Sequence, residues 1–441
     1  MFVGLANIQV CKRTQIMKFT RTLIAASLAV VSADSFAAAF QLAEQNVSGL
    51  GRAYAGEAAV ADDASVVARN PALMSLFKTK QISVAGIAVI PDVSLEGESA
   101  AYGLDENVLD DSSIAPSAFI PAGYFTMPLN DKVSLGFGAF SNFGLSTEFN
   151  DNYAAGSIAG ETEIVTVNMN ASASYKFNEQ FSLGLGLNYV YADAKVVRNA
   201  GVNPLGVPVE TEIVHLEGDD YGFGWNIGAM YQLDENNRFG FNYRSETDID
   251  FEGEYANGLP AAFGGTAGVK VPGALELTLP AIAEFSGSHQ LDKKLGVHYS
   301  IQWTGWDSFQ KLEAYVPGNE APVFRKEENF SDAMRYSIGT DYQYSDALLL
   351  RAGIAYDESP VDQSHLSISI PDTDRFWFSF GGNYAFSENS NVDLGVSILR
   401  GKTQNFTEED SFAKALGQEV SWDFESKGHA VLIGAQYNYT F

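Results

Sequence analysis

The sequence predicts an all-β fold, a transmembrane antiparallel β-barrel of about 14 strands. Three observations carry that expectation. Long stretches alternate apolar with small or polar residues, as strands with one lipid-facing and one wet face must. Short turns join these stretches in pairs, while long polar gaps separate the pairs. The chain also stops inside such a stretch, on Phe441, where a frayed polar tail would be ordinary.

Composition agrees. The 441 residues would suggest two or three soluble domains by length alone, but 12% aromatic residues and 41 glycines favour strands and turns. The net charge of −28 makes binding to a phosphate backbone improbable, so no nucleic-acid partner is expected.

Residues 1–37 read as a secretory leader. Lys18 and Arg21 form a basic start, Leu23–Val31 an apolar run too short to span a bilayer, and Ser35-Phe36-Ala37 a small-x-small cleavage site. Residues 1–16 fit no part of that pattern, so Met17 is expected to be the true first residue. The only cysteine, Cys11, lies in this leader. Cleavage would leave an exported, cysteine-free chain.

Residues 38–78 break the alternation. They are rich in Ala and Gly, and Ala58–Ala68 can form a short helix ending before Asn70-Pro71, because a proline keeps its predecessor extended. About forty compact residues ahead of the first strand suggest a plug inside the lumen.

Residues 79–441 are the predicted barrel. "QISVAGIAVI" (81–90) is its first strand. In "VTVNMNASASYKF" (165–177), Val167, Met169, Ala171, Ala173 and Tyr175 share one face, and Thr166, Asn168, Asn170, Ser172 and Ser174 the other. Short turns fall at 130–132, 178–180, 234–238, 292–294, 345–347 and 387–391. Long gaps fall near 92–115, 143–163, 196–219, 252–274, 306–331, 358–373 and 402–422. Six turns pair twelve strands, and one strand at each end completes about 14. The final run, Val431 to Phe441, must then pair with the first, since an open edge in lipid leaves backbone groups unsatisfied. Phe441 is the barrel-closing terminus.

Several stretches carry a resemblance: "AFQL" after the leader, "SGLGRAYAGEAAVADDASVVARNPAL" (48–73), "SNFGLSTEFND" (141–151), "YGFGWNIGAMYQLDENNRFGFNYRSE" (221–246) and "SISIPDTDRFWFSFG" (367–381). Together they resemble the FadL-type outer-membrane long-chain fatty acid transporters over essentially the whole mature chain. The resemblance implies a 14-strand barrel with an N-terminal hatch and uptake of hydrophobic ligands. It implies ligand contacts at Phe40, Arg198 and Lys326, a hatch motif at Asn70, Pro71 and Ala72, and a lateral gate at Asn142, Phe143 and Gly144. Long-chain fatty acids, outer-membrane lipid and lipopolysaccharide are the expected partners, and the chain is expected to be a monomer in the cell outer membrane.

Physical chemistry frames these residues. An acyl chain gains about 0.8 kcal/mol per buried methylene, and its carboxylate then needs a charged or hydrogen-bonding partner. Read without the resemblance, Arg198 and Lys326 are ordinary loop charges, and Arg325 competes with Lys326 for the role. Gly144 marks either a kink in the third strand or the start of an outer loop.

Enzymatic readings find no support in the sequence, which has no G-x-S-x-G elbow, H-E-x-x-H pair or cysteine pair. Its five histidines show no metal spacing, and no cofactor is implied. Two alternatives stay open: a transporter of small aromatic hydrocarbons in the same family, and a general diffusion porin.

Overall fold

Fourteen antiparallel strands follow one another around a closed wall, as seen in a computed structural model that describes residues 39–263 and 265–441. The expected leader, with Met17 and cleavage after Ala37, lies outside the described residues. The strands are β1 (Gln81–Ser99), β2 (Ala118–Pro128), β3 (Val133–Phe140 resuming at Gly144–Glu148), β4 (Glu161–Lys176), β5 (Phe181–Asn199) and β6 (Glu212–Gln232). Next come β7 (Asn237–Arg244, then Thr247–Ala256), β8 (Val271–Leu279, then Ile282–Gln290) and β9 (Leu295–Thr304, then Lys311–Tyr315). The circuit ends with β10 (Phe324–Glu327, then Ala333–Ser345), β11 (Leu348–Asp357), β12 (Arg375–Ser387), β13 (Ser390–Gly401, then Gln404–Glu409) and β14 (Ser421–Thr440).

β14 closes on β1 from the Gln81–Thr440 pair up to Ser99–Asp423, and the Phe441 N–H donates to the Lys80 carbonyl at 2.9 Å. The first and last strands are thereby joined and the wall is closed. All six short turns lie at one end of the barrel.

The wall alternates as the sequence requires. On β14, Val431, Ile433 and Tyr437 face outward and are exposed, while Leu432, Gln436 and Asn438 are buried on the lumen side. Leu187, Phe241, Phe285, Ile338, Ile354 and Phe380 continue the outward apolar band. Such a band fits hydrocarbon, and no helix among the described residues is long and apolar enough to cross a membrane.

The long-loop end departs from the expected boundaries. β1 runs nine residues past Ile90, and β6 begins at Glu212 inside an expected gap. Pro91 is tolerated because it sits on the side of β1 that β2 no longer covers, past the last β1–β2 pair of Val89 with Ala118. Upper β1 still alternates, with Val93 and Leu95 buried and Asp92 and Glu96 exposed, but its Pro, Asp and Glu content reads as loop. On β6 a register shift opposite Arg198 and Asn199 breaks the period between the buried Ile213 and Leu216.

Residues 39–77 contribute no wall strand and are almost wholly buried against the inward faces of the strands. They hold α1 (Val47–Leu50), α2 (Val66–Arg69) and a 3₁₀ turn at Pro71–Leu76. The helix expected over Ala58–Ala68 is therefore a correction, since only its last residues are helical. The Ala58 backbone is engaged elsewhere: its N–H donates to Ser286 Oγ at 3.1 Å, and its carbonyl accepts from Asn70 Nδ2 at 2.7 Å. Asn70 is extended and caps the next turn by accepting from the Ala72 N–H, with Pro71 at the first helical position where its missing N–H costs nothing.

The segment sits so close to the wall that side chains would not fit. A Cβ on Gly240 would lie 1.7 Å from the Ala58 carbonyl oxygen, and one on Gly353 2.1 Å from that of Arg52. Gly184, Gly228 and Gly381 face the same segment at comparable closeness. Ion pairs add to the fit: Arg52 meets Asp62 at 2.7 Å and Asp341 of β10 at 3.0 Å, and Asp62 also meets Arg351 of β11 at 3.0 Å.

Candidate functional site

An apolar cluster fills the lumen between residues 39–77 and the long loops, and Phe40 stands at its centre. The Phe40 ring packs edge-on against Trp306 at 4.6 Å, Phe309 at 5.3 Å and Phe143 at 6.0 Å. Phe330, Phe251, Leu277 and Ile370 complete the surroundings. Trp306 and Phe309 reach inward because β9 breaks between Thr304 and Lys311, and Phe330 because β10 breaks between Glu327 and Ala333. The sequence reading placed all three in an outer loop; breaks caused by tertiary packing leave no local signal beyond the aromatics themselves.

The backbone of Phe40 has a second engagement. Its carbonyl accepts from the Gly144 N–H at 2.8 Å, and the Leu42 N–H donates to the Asn142 carbonyl at 2.7 Å. Residues 40–42 thus form a short antiparallel pairing with the point where β3 breaks, with Gln41 opposite Phe143. The break covers Ser141–Phe143, and Gly144 resumes the strand. Between the Phe140–Asn168 and Gly144–Val165 pairs, β3 holds one residue more than β4, which is a bulge. Thr166 Oγ1 donates to the Phe143 carbonyl at 2.6 Å and steadies it.

Past the bulge β3 turns inward, and Gly144, Leu145, Ser146 and Thr147 are all buried. β2 pairs with β3 only over Gly123–Pro128, so Ala118–Ala122 of β2 have no ladder partner on that side. The wall is therefore unlaced between β2 and upper β3, next to Phe40.

Arg198 and Lys326 both face the lumen at the long-loop end. Arg198 is buried on β5; Nη1 donates to the carbonyls of Val197 at 2.7 Å and Glu161 at 3.0 Å, and Nη2 to Thr162 Oγ1 at 2.9 Å. Lys326 Nζ donates to Ser369 Oγ at 2.5 Å and to Ser367 Oγ, with Glu328 at 3.6 Å and Glu408 at 3.9 Å. Arg198 feels the same two carboxylates, so the two cations share one electrostatic neighbourhood. Arg325 points the other way, half-exposed and paired with Glu313 and Glu327. Strand parity over Phe324–Glu327 separates the two neighbours, as period-two geometry requires.

Sequence reasoning missed Glu328, Glu408, Ser367 and Ser369. Glu328 is 1% exposed, and its carboxylate oxygens have no hydrogen-bond donor among the described residues. These groups come from β10, β13 and the loop before β12, so only the fold brings them together. Asn70, Pro71 and Ala72 lie at the other end of the 39–77 segment, with Asn70 Nδ2 bonded to the Ala229 carbonyl of β6 at 2.9 Å. They take no part in the apolar cluster. Glu44 is buried, its two oxygens have no donor among the described residues, and burial pushes its carboxyl up to about 7. No group of His, Cys, Asp and Glu among the described residues is arranged to hold a metal ion.

Comparison with known proteins places this geometry. Residues 28–441 match the family model described as outer membrane protein transport protein (OMPP1/FadL/TodX). A long-chain fatty acid transport protein from Salmonella typhi is 42% identical, the alignment covering 96% of this chain and 99% of that protein. Outer membrane protein P1 of Haemophilus influenzae is 41% identical, with coverage of 96% and 100%. Among solved structures, a Pseudomonas aeruginosa FadL homologue superposes with a TM-score of 0.82 at 23% identity, covering 92% of this chain and all of that one, which supports the barrel itself.

Proposed function

The chain belongs to the OMPP1/FadL/TodX family of outer-membrane transport proteins, and on that premise we propose that it carries long-chain fatty acids across the outer membrane. The observation that bears the reading is the juxtaposition of an aromatic-lined apolar cluster with two lumen-facing cations, Arg198 and Lys326. An acyl tail gains about 0.8 kcal/mol per methylene in the cluster. Lys326 and Arg198 receive its carboxylate in place of their present partners, in charge-assisted hydrogen bonds. Nothing in this reading calls for catalysis.

In this reading Phe40 couples binding to release. The tail needs the space its ring fills, and moving Phe40 withdraws the carbonyl that holds Gly144. Asn142, Phe143 and Gly144 then act as a lateral gate, and the tail leaves between β2 and β3 into the bilayer. An axial route would expose a long tail to water at a cost on the order of 10 kcal/mol. Residues 38–78 serve as a hatch, held by the Asn70-Pro71-Ala72 turn and the Arg52 ion pairs. The barrel works as a monomer with its long loops outward towards lipopolysaccharide.

The chief rival is carriage of small aromatic hydrocarbons, for which the two lumen cations have no purpose. A general diffusion porin is disfavoured by the lumen-filling segment. Mild extraction followed by mass spectrometry of co-purified lipid tests the reading. Long-chain carboxylic acids bound near one per protein are expected; recovery of neutral aromatics, or of no acid at all, overturns it.

A further inference from the structure

Deep to the break in β3 lies a cation that the proposed route does not use. Arg244 ends the first segment of β7, is 6% exposed, and makes no ion pair with a carboxylate among the described residues. Its guanidinium lies over the ring of Phe140, the last residue before the break, at 5.4 Å. Nη2 donates to the Ala68 carbonyl at 2.8 Å and Nη1 to Asn188 Oδ1 at 2.6 Å. A buried cation without a counter-charge is costly and rarely kept without reason.

Asparagines connect this cation to the gap. Asn168 Nδ2 lies 3.1 Å from Asn188 Oδ1 and 2.8 Å from Asn142 Oδ1, inside the break itself. Asn170 reaches Asn188 at 2.8 Å and Asn226 at 2.9 Å, yet the amide N–H group of the fully buried Asn226 has no acceptor among the described residues. A narrow recess of about 10 Å³, the size of a single water, runs along this array. Arg244, Asn142 and Asn168 line its polar part, and Phe143, Val190 and Leu279 its apolar part. A guanidinium without a counter-charge, set beside the apolar wall of this recess, suits an amphipathic anion.

We propose that Arg244 and these asparagines form a second carboxylate-binding site, at the inner lip of the wall gap. There the head group of a departing fatty acid is held while its tail passes between β2 and β3. The inference rests on the proposed function and adds a station to its route. The first site, at Lys326 and Arg198, captures the head group; the second keeps it inside the lumen, so that the tail leads into the bilayer.

The test compares an 18-carbon fatty acid with the primary alcohol of the same length, using wild-type protein and the variants R244Q, R244K and N168D. Folding is checked by heat-modifiable migration of the extracted barrels. Transfer is measured in cells that depend on this protein, and equilibrium binding in detergent. R244Q should slow acid transfer at least about tenfold, the scale of one lost charge-assisted contact, leaving alcohol transfer and equilibrium binding within about twofold. R244K should restore most of the acid transfer. N168D, which places a negative charge in the recess, should block the acid and spare the alcohol, and stands in if R244Q does not fold. Equal slowing of acid and alcohol, or undiminished acid transfer in R244Q and N168D, overturns the second site while leaving the proposed function intact. A wild-type protein that transfers no acid overturns both.

Discussion

Gly240→Ala adds one methyl group to the lumen face of β7 and should loosen residues 39–77 without harming the barrel. Gly240 has no left-handed φ, so alanine is compatible with the backbone and only space decides the outcome. The new Cβ would lie 1.7 Å from the Ala58 carbonyl oxygen and 2.4 Å from its carbon, both backbone atoms that cannot swing aside. Reaching van der Waals separation requires the segment to retreat by about 1.5 Å. That retreat strains the bond from Asn70 Nδ2 to the Ala58 carbonyl and the one from the Ala58 N–H to Ser286. Overpacking costs about 1–3 kcal/mol and each weakened hydrogen bond about 1 more. A total on the order of 3 kcal/mol shifts the seated-to-unseated equilibrium by roughly two orders of magnitude. Single-channel recording in planar bilayers is the assay, with Gly123→Ala as control because a Cβ there meets nothing within 4 Å. Frequent openings in Gly240→Ala, rare in wild type and control, are expected. Indistinguishable traces from the two folded variants would refute the claim that this segment obstructs the lumen.

Three further outcomes follow from the same structure. Gln41→Cys with Phe143→Cys, introduced among residues 39–441, which contain no cysteine, should form a disulfide across their close antiparallel pairing; oxidation should halt fatty acid uptake and reductant restore it, and uptake insensitive to oxidation would remove the latch. Glu44 carries a raised carboxyl pKa of about 7 in the fold against 4.5 ordinarily, so the native state holds the extra proton between those values and stability falls as pH rises through that window. Glu44→Gln should then raise the melting temperature above pH 7 and flatten its pH dependence, worth about 3 kcal/mol at most; a variant that melts lower than wild type at pH 8 would count against it. Protease added to intact cells should cut within the exposed 203–211 loop and spare the 178–180 and 292–294 turns, and cleavage at those turns would invert the orientation.

Much of the barrel was legible in the sequence because lipid and lumen impose opposite chemistry on alternate residues. The strand number, the six turns and the pairing of the last strand with the first all follow from that period. Legibility fails where the wall leaves the bilayer or folds inward. Upper β1 holds Pro91 and carries Asp92 and Glu96 on its outer face, β6 shifts register near Ile213, and β9 and β10 break to send Trp306, Phe309 and Phe330 inside. The 39–77 segment was legible as non-strand, but its helix was overestimated because the wall engages backbone groups that a helix would have used. The resemblance pointed to Arg198 and Lys326, yet their neighbours Glu328, Ser367, Ser369 and Glu408 lie on separate elements. Arg244 gave no local signal; its interest arises only when its lack of a counter-charge is seen beside the gap in β3.

The most direct measurement titrates folded wild-type protein and the Arg198→Gln/Lys326→Gln variant with an ionised 18-carbon fatty acid and with the alcohol of equal length. Each charge-assisted contact is worth about 1.5–3 kcal/mol, so the variant should lose at least about tenfold in acid affinity. Its affinity for the alcohol, which depends on the aromatic cluster around Phe40, should stay within about twofold. Equal loss for both ligands, or none for the acid, would contradict a carboxylate site at Arg198 and Lys326.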